Sequence, residues 1–529
     1  MTNINEVKAI LSKKVSEEKS GKRTIDLPPI TYKKNKFSHV SLFCGAGGLD
    51  LGVLWSGIEV GMNKKVNIAN KEVFDQIQDS SVLHTVYATD AFTEAINTYS
   101  MNFKDTVAQK ANIKKLKNFP KADLYTFGFP CPGFSLGGPR MIDDKRNFMY
   151  IHCCRALLQA QPKVFIAENV KGLLTLGKGE AYRQIKADFA AAGYNIYAKL
   201  LDSRDYGVPQ TRERVVMVGV RKDLDFVYNF PEPTHGEGLG LKPFATLRRA
   251  IWDLRENPGW GYEGTASSQF MGRNRKKNWN QYSYTIQASA RQSPVHPEGD
   301  PMIKIDSQHW KFANDGKSER RISVKEAARI QTFPDWFKFN YGTEDVARST
   351  KIDKLYKQIG NAVPVLMAKV ISKPIVKFLN QLKEIEQDNT LVTSNEVSEQ
   401  AYNFPVSAIS TLENEATTLQ NCEPVRGDEV LIVENTESLV IKKTASTNSD
   451  GQLSIDDLLT CENEKSSVTK EVSTIIKVKQ DVSEELPLTE NDKKDIIKDV
   501  HSFEGNKLDI IEEETSIHNQ KQLSFNIFM

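Results

Sequence analysis

One cysteine stands where it could act as a nucleophile. Cys131 lies in Gly128-Phe129-Pro130-Cys131-Pro132-Gly133-Phe134-Ser135, a tight turn that Pro130 helps to fix. The turn follows a short apolar run, Asp123-Leu124-Tyr125-Thr126-Phe127. The thiolate is the reactive form of cysteine, and a rigid turn at a strand end exposes it. A glycine loop, Gly45-Ala46-Gly47-Gly48, sits in Leu42-Phe43-Cys44-Gly45-Ala46-Gly47-Gly48-Leu49-Asp50, after a strand and at the opening of a helix. Glycines let the backbone turn sharply and come close to a ligand. The next unit ends a strand at Asp90, where a carboxylate can accept both hydroxyls of an adenosine ribose. Glu168 follows the buried-looking strand Val164-Phe165-Ile166-Ala167; its structural alternatives are a helix cap or a salt bridge. Arg212 and Arg214, in Gln210-Thr211-Arg212-Glu213-Arg214, alternate on a strand and so point the same way, with a plain surface ladder as the alternative.

These residues need a scaffold, and the pattern supplies one. Short apolar runs at Val40–Phe43, Val86–Thr89, Leu124–Phe127, Val164–Ala167, Ile196–Leu201 and Val215–Val220 read as strands. Gly48–Leu54, Ala91–Tyr99, Met149–Ala160 and Glu180–Ala192 read as helices between them. Such alternation implies an α/β fold, a mainly parallel sheet with helices on both faces. Ligands in these sheets bind at the carboxyl ends of the strands, where the motifs fall.

Pro231-Glu232-Pro233 breaks the alternation. The chain is expected to divide into a flexible basic arm over 1–36, with one helix near Ile4–Val15, and a catalytic and cofactor domain over 37–235. A smaller, irregular domain over 236–320, a return to the first domain over 321–387, and an acidic, mostly disordered tail over 388–529 complete it. A closing helix is expected over 365–386. Residues 384–529 hold 12 Lys+Arg and 30 Asp+Glu, a net of −18, which leaves +20 on the remainder. A body at +20 fits a polyanionic partner. No apolar run approaches the ~20 residues of a membrane span, and the first thirty residues lack the apolar core of a signal peptide. Six cysteines without zinc-type pairing or a disulfide framework suit a reducing cytoplasm.

Taken in order, the glycine loop, Pro130-Cys131, Glu168-Asn169-Val170, Gln210 to Arg214, and Gln358-Ile359-Gly360-Asn361-Ala362-Val363-Pro364 closely resemble the motifs of the DNA (cytosine-5)-methyltransferases. The resemblance runs from about Phe37 to Leu379. It implies a Rossmann-like methyltransferase sheet and S-adenosylmethionine as cofactor, held by Phe43, Cys44, Gly45, Gly47, Gly48, Leu49, Asp90, Asn112, Asn361 and Val363. Three positions depart from the family pattern: Ser41 and Asn112 where members often carry an acid, and Ala91 where they carry a bulky residue. The resemblance also implies that the Cys131 thiolate adds to C6 of cytosine, which makes C5 nucleophilic. Glu168 would bond the N3 and N4 edge of the base. Arg212 would hold the base carbonyl or a phosphate, and Arg214 would support the loop. The base that removes the C5 proton is not identified. The cytosine would have to flip out of the duplex, under the glycine-containing loop Ser135–Arg140, with Arg146 and Asn147 as further phosphate contacts.

The segment Met271–Asn280 and Tyr284–Pro297 resembles the recognition domain of bacterial enzymes that methylate within GGCC. Arginine reads guanine through O6 and N7, which nominates Arg273, Arg275 and Arg291. These implications describe a prokaryotic modification enzyme acting on double-stranded DNA, paired with a restriction endonuclease. The competing readings are an RNA cytosine methyltransferase, disfavoured by the separate insert, and a catalytically inactive DNA-binding regulator, disfavoured by the intact Cys131, Glu168, Arg212 and Asn361. In the tail, Gln452-Leu453-Ser454-Ile455 and Gln522-Leu523-Ser524-Phe525 repeat a pattern that resembles peptides docking on bacterial sliding clamps.

Overall fold

A computed structural model describes residues 21–130, 148–264, 267, 270–314 and 319–399. Seven strands form the central sheet: β1 (Phe37–Leu42), β2 (Leu83–Asp90), β3 (Val107–Lys110), β4 (Leu124–Phe127), β5 (Val164–Val170), β6 (Tyr194–Asp202) and β7 (Glu213–Arg221). Their order is β3-β2-β1-β4-β5-β7-β6. All pairs from β3 to β5 are parallel, and β7 runs antiparallel to both β5 and β6. The chain steps outward from β1 in one direction to β2 and β3, and in the other to β4 and β5. The switch therefore lies between β1 and β4, the place where such sheets open a ligand crevice.

The strands read as near-continuous apolar runs because both faces are covered. On β5, Phe165 and Ala167 face one core with α4 (Tyr150–Ala160) and α5 (Glu180–Ala191). Val164 and Ile166 face the other, with α1 (Gly48–Gly61). That second core is sealed by the long last helix, Val365–Glu399, which outruns the expected 365–386. Its Met367, Ile371, Ile375 and Leu379 repeat every four residues and are at most 2% exposed. Burying each contributes about 1.5–3 kcal/mol, so this helix is part of the sheet's core.

Outside the insert, α2 (Lys71–Ile77), strand β3 and a 14-residue helix at Arg348–Asn361 escaped the sequence pattern. α3 (Thr93–Asn102) lies between β2 and β3. Residues 21–36, expected within a flexible arm, instead lie against the body. Ile25 bridges Leu116, and Ile25, Leu27 and Ile30 pack on the first core. The helix expected near Ile4–Val15 and the tail beyond Glu399 lie outside the described residues.

The 236–320 insert is largely irregular. It contains α6 (Leu247–Ile251) and a small antiparallel pair, β8 (Met302–Lys304) with β9 (Trp310–Phe312). Phe270, Val295 and Met302 form its own small core. Leu247, Ile251 and Ile286 pack instead on α7 (Val324–Ile330) and α8 (Arg348–Asn361). The last helix is α9. Among the described residues, no helix is long and apolar enough to cross a membrane.

Candidate active site

The glycine loop leaves the carboxyl end of β1 through three left-handed residues, Phe43 (φ 58°), Gly45 (φ 55°) and Gly47 (φ 89°). A bulky residue rarely holds such a φ, so the surrounding contacts must impose it on Phe43. The Cys44 amide donates to the Thr89 carbonyl (3.1 Å) and the Gly45 amide to Asp90 Oδ2 (3.1 Å). The Phe92 amide donates to Asp90 Oδ1 (2.8 Å). Burial raises the Asp90 carboxyl, and the amides of Phe92, Gly45 and Ala91 oppose that rise. The loop and the acid are thus one unit. The Ala111 amide donates to the Asp90 carbonyl (3.0 Å), which sets exposed Asn112 beside it. The Asn112 side chain accepts from the Lys114 amide (3.1 Å). A Cβ on Gly45 would meet no atom within 4 Å, so the loop is open there, while one on Gly47 would stand 2.4 Å from the Phe103 ring. A Cβ on Gly48 would stand 2.6 Å from the Val363 carbonyl oxygen. Val363, distant in sequence, therefore closes on the glycine loop. Cys44 and Leu49 are buried, and burial pushes the Cys44 thiol well up, which leaves it unreactive.

The second cluster forms where β4 and β5 end. Gly128 leaves β4 with its amide on the Leu42 carbonyl (3.3 Å), so the segment leading to Cys131 starts beside the glycine loop. Phe129 is buried and Pro130 is exposed. Cys131 itself, Ser135–Arg140, Arg146 and Asn147 lie outside the described residues. Asn169 Nδ2 donates to the Phe129 carbonyl (3.2 Å), binding that segment to the end of β5. Its neighbour Glu168 stands opposite Val216 on β7 and faces Arg214. Arg214 Nε lies 2.8 Å from Glu168 Oε1, an ion pair at the strand end. The oxygen is buried and holds no hydrogen bond.

Arg212 differs from its expected role. Arg212 directly precedes β7, its carbonyl accepting from the Ser203 amide (3.1 Å). The Arg212 side chain is 1% exposed and turned inward. It donates to the carbonyls of Gly360 (2.9 Å), Ala362 (2.9 Å) and Ile286 (3.3 Å). Gln210, the first residue of the same motif, and Gln331, which sequence reasoning passed over, complete the joint. Gln210 Nε2 donates to Gln331 Oε1 (2.7 Å), and Gln331 Nε2 donates to the carbonyls of Ile359 (2.6 Å) and Ala362 (3.1 Å). Arg212 thus grips the chain on both sides of exposed Asn361 and is a structural clasp. Desolvation drives its guanidinium pKa well down, and three carbonyl acceptors hold the cation in place.

The model of the family described as "C-5 cytosine-specific DNA methylase" matches residues 37–377. The chain belongs to that family. It is a DNA (cytosine-5)-methyltransferase. It is 52% identical over 382 residues to the Type II methyltransferase M.BspRI of Lysinibacillus sphaericus, covering 70% of this chain and 90% of that one. It is 48% identical over 399 residues to the Type II methyltransferase M.BsuRI of Bacillus subtilis, covering 74% and 92%. A third relative, M.FnuDI of Fusobacterium nucleatum, is 38% identical over 373 residues, covering 66% of this chain and 97% of the relative.

In this methyltransferase the three arginines nominated for base reading separate. Arg273 and Arg291 are exposed. Arg275 is 8% exposed, packs on the Phe270 ring at 4.8 Å and donates Nε to the Phe270 carbonyl (3.1 Å). Arg321 covers the same ring at 3.2 Å. Arg275 therefore builds the insert's small core and does not project from it. Sequence alone could not separate it from Arg273, because both lie in one polar run.

Proposed function

We propose that the enzyme transfers a methyl group from S-adenosylmethionine to C5 of a cytosine flipped out of a specific double-stranded site, GGCC. The observation that carries this is the unfilled Glu168 acceptor, buried beside Arg214 at the strand end that Asn169 ties to the Cys131 segment. The cofactor fits the residues present: an open Gly45, a buried acid held by backbone amides, and the Val363 backbone closing over Gly48. Asp90 would take the ribose hydroxyls, with Asn112 and Asn361 at the exposed edges. When bound, the cofactor supplies an electrophilic methyl group.

The chain's own residues do the rest. Glu168 accepts from the cytosine N4 amino group, and Arg214 steadies its charge. The Cys131 thiolate forms a bond to C6, and the C5–C6 π electrons move to C5, which takes the methyl group. Loss of the C5 proton to a base then returns the electron pair and expels the thiolate. Arg273 and Arg291 are the remaining candidates for reading guanine. The +20 body holds the duplex through its phosphates. A restriction endonuclease cutting the same site is the expected partner.

Bisulfite sequencing of DNA from cells expressing the protein tests both activity and site. Converted cytosines at every GGCC would refute the site, and conversion everywhere would refute the activity. Cys131→Ser should lose methyl transfer while gel-shift affinity for DNA and binding of S-adenosylmethionine persist, since serine is a far weaker nucleophile at neutral pH.

A further inference from the structure

Helix α7 ends on a residue that its turn does not favour. The Phe333 amide donates to the Ala328 carbonyl (3.0 Å) and the Thr332 amide to the Arg329 carbonyl (2.9 Å). These are the two bonds of a Schellman cap, which places the residue after the C-cap in the left-handed region. Glycine is usual there, because it has no Cβ to strain. Here the residue is Thr332, at φ 62°. A β-branched side chain on such a backbone is an outlier, and it persists only where its surroundings hold it. Those surroundings come from α9. The Leu366 amide, in the first turn of α9, where amides have no partner within the helix, donates to Thr332 Oγ1 (2.9 Å). The Val365 amide donates to the Gln331 carbonyl (3.2 Å). The end of α7 therefore holds the start of α9.

The groups fixed by this joint are those that meet the glycine loop. A Cβ on Gly48 would stand 2.6 Å from the Val363 carbonyl oxygen, and 3.1 Å from both Ala362 Cβ and the Phe333 ring. Gln331 holds the Ala362 carbonyl (3.1 Å), and Val363 lies two residues before α9. Phe333 also lines a cavity of about 350 Å³, together with Phe337, Phe339 and Trp260. Its ring lacks close packing on that side, so its backbone has to fix its place. Pro334, next in the chain, disfavours the helical conformation at Phe333 and so favours the turn. We infer that Thr332 is a positioning residue for the cofactor. Its left-handed backbone sets the Phe333 ring, and its hydroxyl sets the Val363 carbonyl through the start of α9. Both press on the glycine loop that receives S-adenosylmethionine. This role rests on the cofactor reading proposed above.

The test uses the full chain, unmodified and as Thr332→Gly and Thr332→Ser, and it reads binding rather than turnover. Each protein is titrated calorimetrically with S-adenosylhomocysteine without DNA, and its Tm is measured without ligand. Thr332→Gly removes the backbone strain and the hydroxyl together. Its Tm should stay within about 2 °C of the unmodified value, because relief of strain offsets the lost hydrogen bond. Its Kd should nevertheless rise about tenfold, since nothing then ties Leu366 to the end of α7. Thr332→Ser keeps the hydroxyl and should restore the Kd to within about twofold. Equal Kd in the unmodified and Thr332→Gly proteins overturns the inference, as does a Thr332→Ser protein that binds as weakly as Thr332→Gly. A Thr332→Gly protein whose Tm and affinity collapse together also overturns it, because Thr332 would then serve the fold alone. No binding by the unmodified chain would instead strike the cofactor reading, and the role of Thr332 would fall with it.

Discussion

Glu168 can be tested apart from the cysteine. Glu168→Gln keeps the size and removes the charge facing Arg214. The expected result is a loss of roughly 10²–10³-fold in kcat with little change in KM for S-adenosylmethionine, because the residue stabilises charge that develops on the base. A kcat near that of the unmodified enzyme would remove Glu168 from the mechanism. Asp50 offers a pH test in the neighbouring core. It is 1% exposed, accepts from Tyr99 Oη (3.0 Å), and its Oδ2 has no hydrogen bond. Burial raises its pKa from 3.8 to about 6. A raised folded pKa gives stability that is full below pH 3.8 and is lost as pH rises through 6. Asp50→Asn, which keeps an acceptor for Tyr99, should therefore raise Tm at pH 8, by at most about 3 kcal/mol of stability, and should gain little at pH 4. Calorimetry at the two pH values decides; an equal gain at both would show that ionisation is not the cause.

Elements carry the contrast between what was legible in the sequence and what was not. Apart from α2 and β3, the strands and helices from Val40 to Val220 were legible because apolar runs alternate with amphipathic ones. Asp90 was legible because it ends its strand, and Glu168 because it follows an apolar run, although β5 continues through it to Val170. α8 was overlooked although Ile352, Leu355, Tyr356 and Ile359 follow helical spacing, since its lysines dilute the pattern. Arg212 and Arg275 were misjudged for one reason: burial of an arginine depends on carbonyls and rings that arrive from segments far away in sequence. The meeting of α1 and α9 was equally hidden, and it depends on glycine. A Cβ on Gly52 would lie 2.4 Å from Ala368 Cβ and 2.6 Å from both the Val365 carbonyl oxygen and the Lys369 amide. Backbone cannot yield as a side-chain end can, so Gly52→Ala should cost about 1–3 kcal/mol. Because Val363 lies two residues before α9 and meets Gly48, cofactor affinity should fall along with Tm. Thermal melts and titration calorimetry would check both; an unchanged Tm would show that the two helices can separate without cost.

At the scale of the whole molecule, charge is the unused variable. Residues 400–529 hold 12 Lys+Arg and 25 Asp+Glu, a net of −13, and residues 1–399 carry +15, so a polyanion is tethered to the chain that must bind DNA. Phosphate contacts supply most non-specific affinity and weaken steeply with salt. A tethered acid competes with those contacts, and screening over a Debye length of about 10 Å at 0.1 M salt weakens its reach. Removing residues 400–529 should therefore tighten binding to non-cognate duplexes at low ionic strength. The difference from the full chain should shrink as salt rises. Turnover on cognate DNA should be retained, because the described body closes its core with α9 and draws no site residue from beyond it. Gel-shift titrations of both proteins across a salt series give the comparison. Equal slopes and equal affinities at every salt concentration would show that the tail leaves the DNA surface alone. A truncated protein that fails to fold would show that the tail is part of the structure, and the competition argument would fall with it.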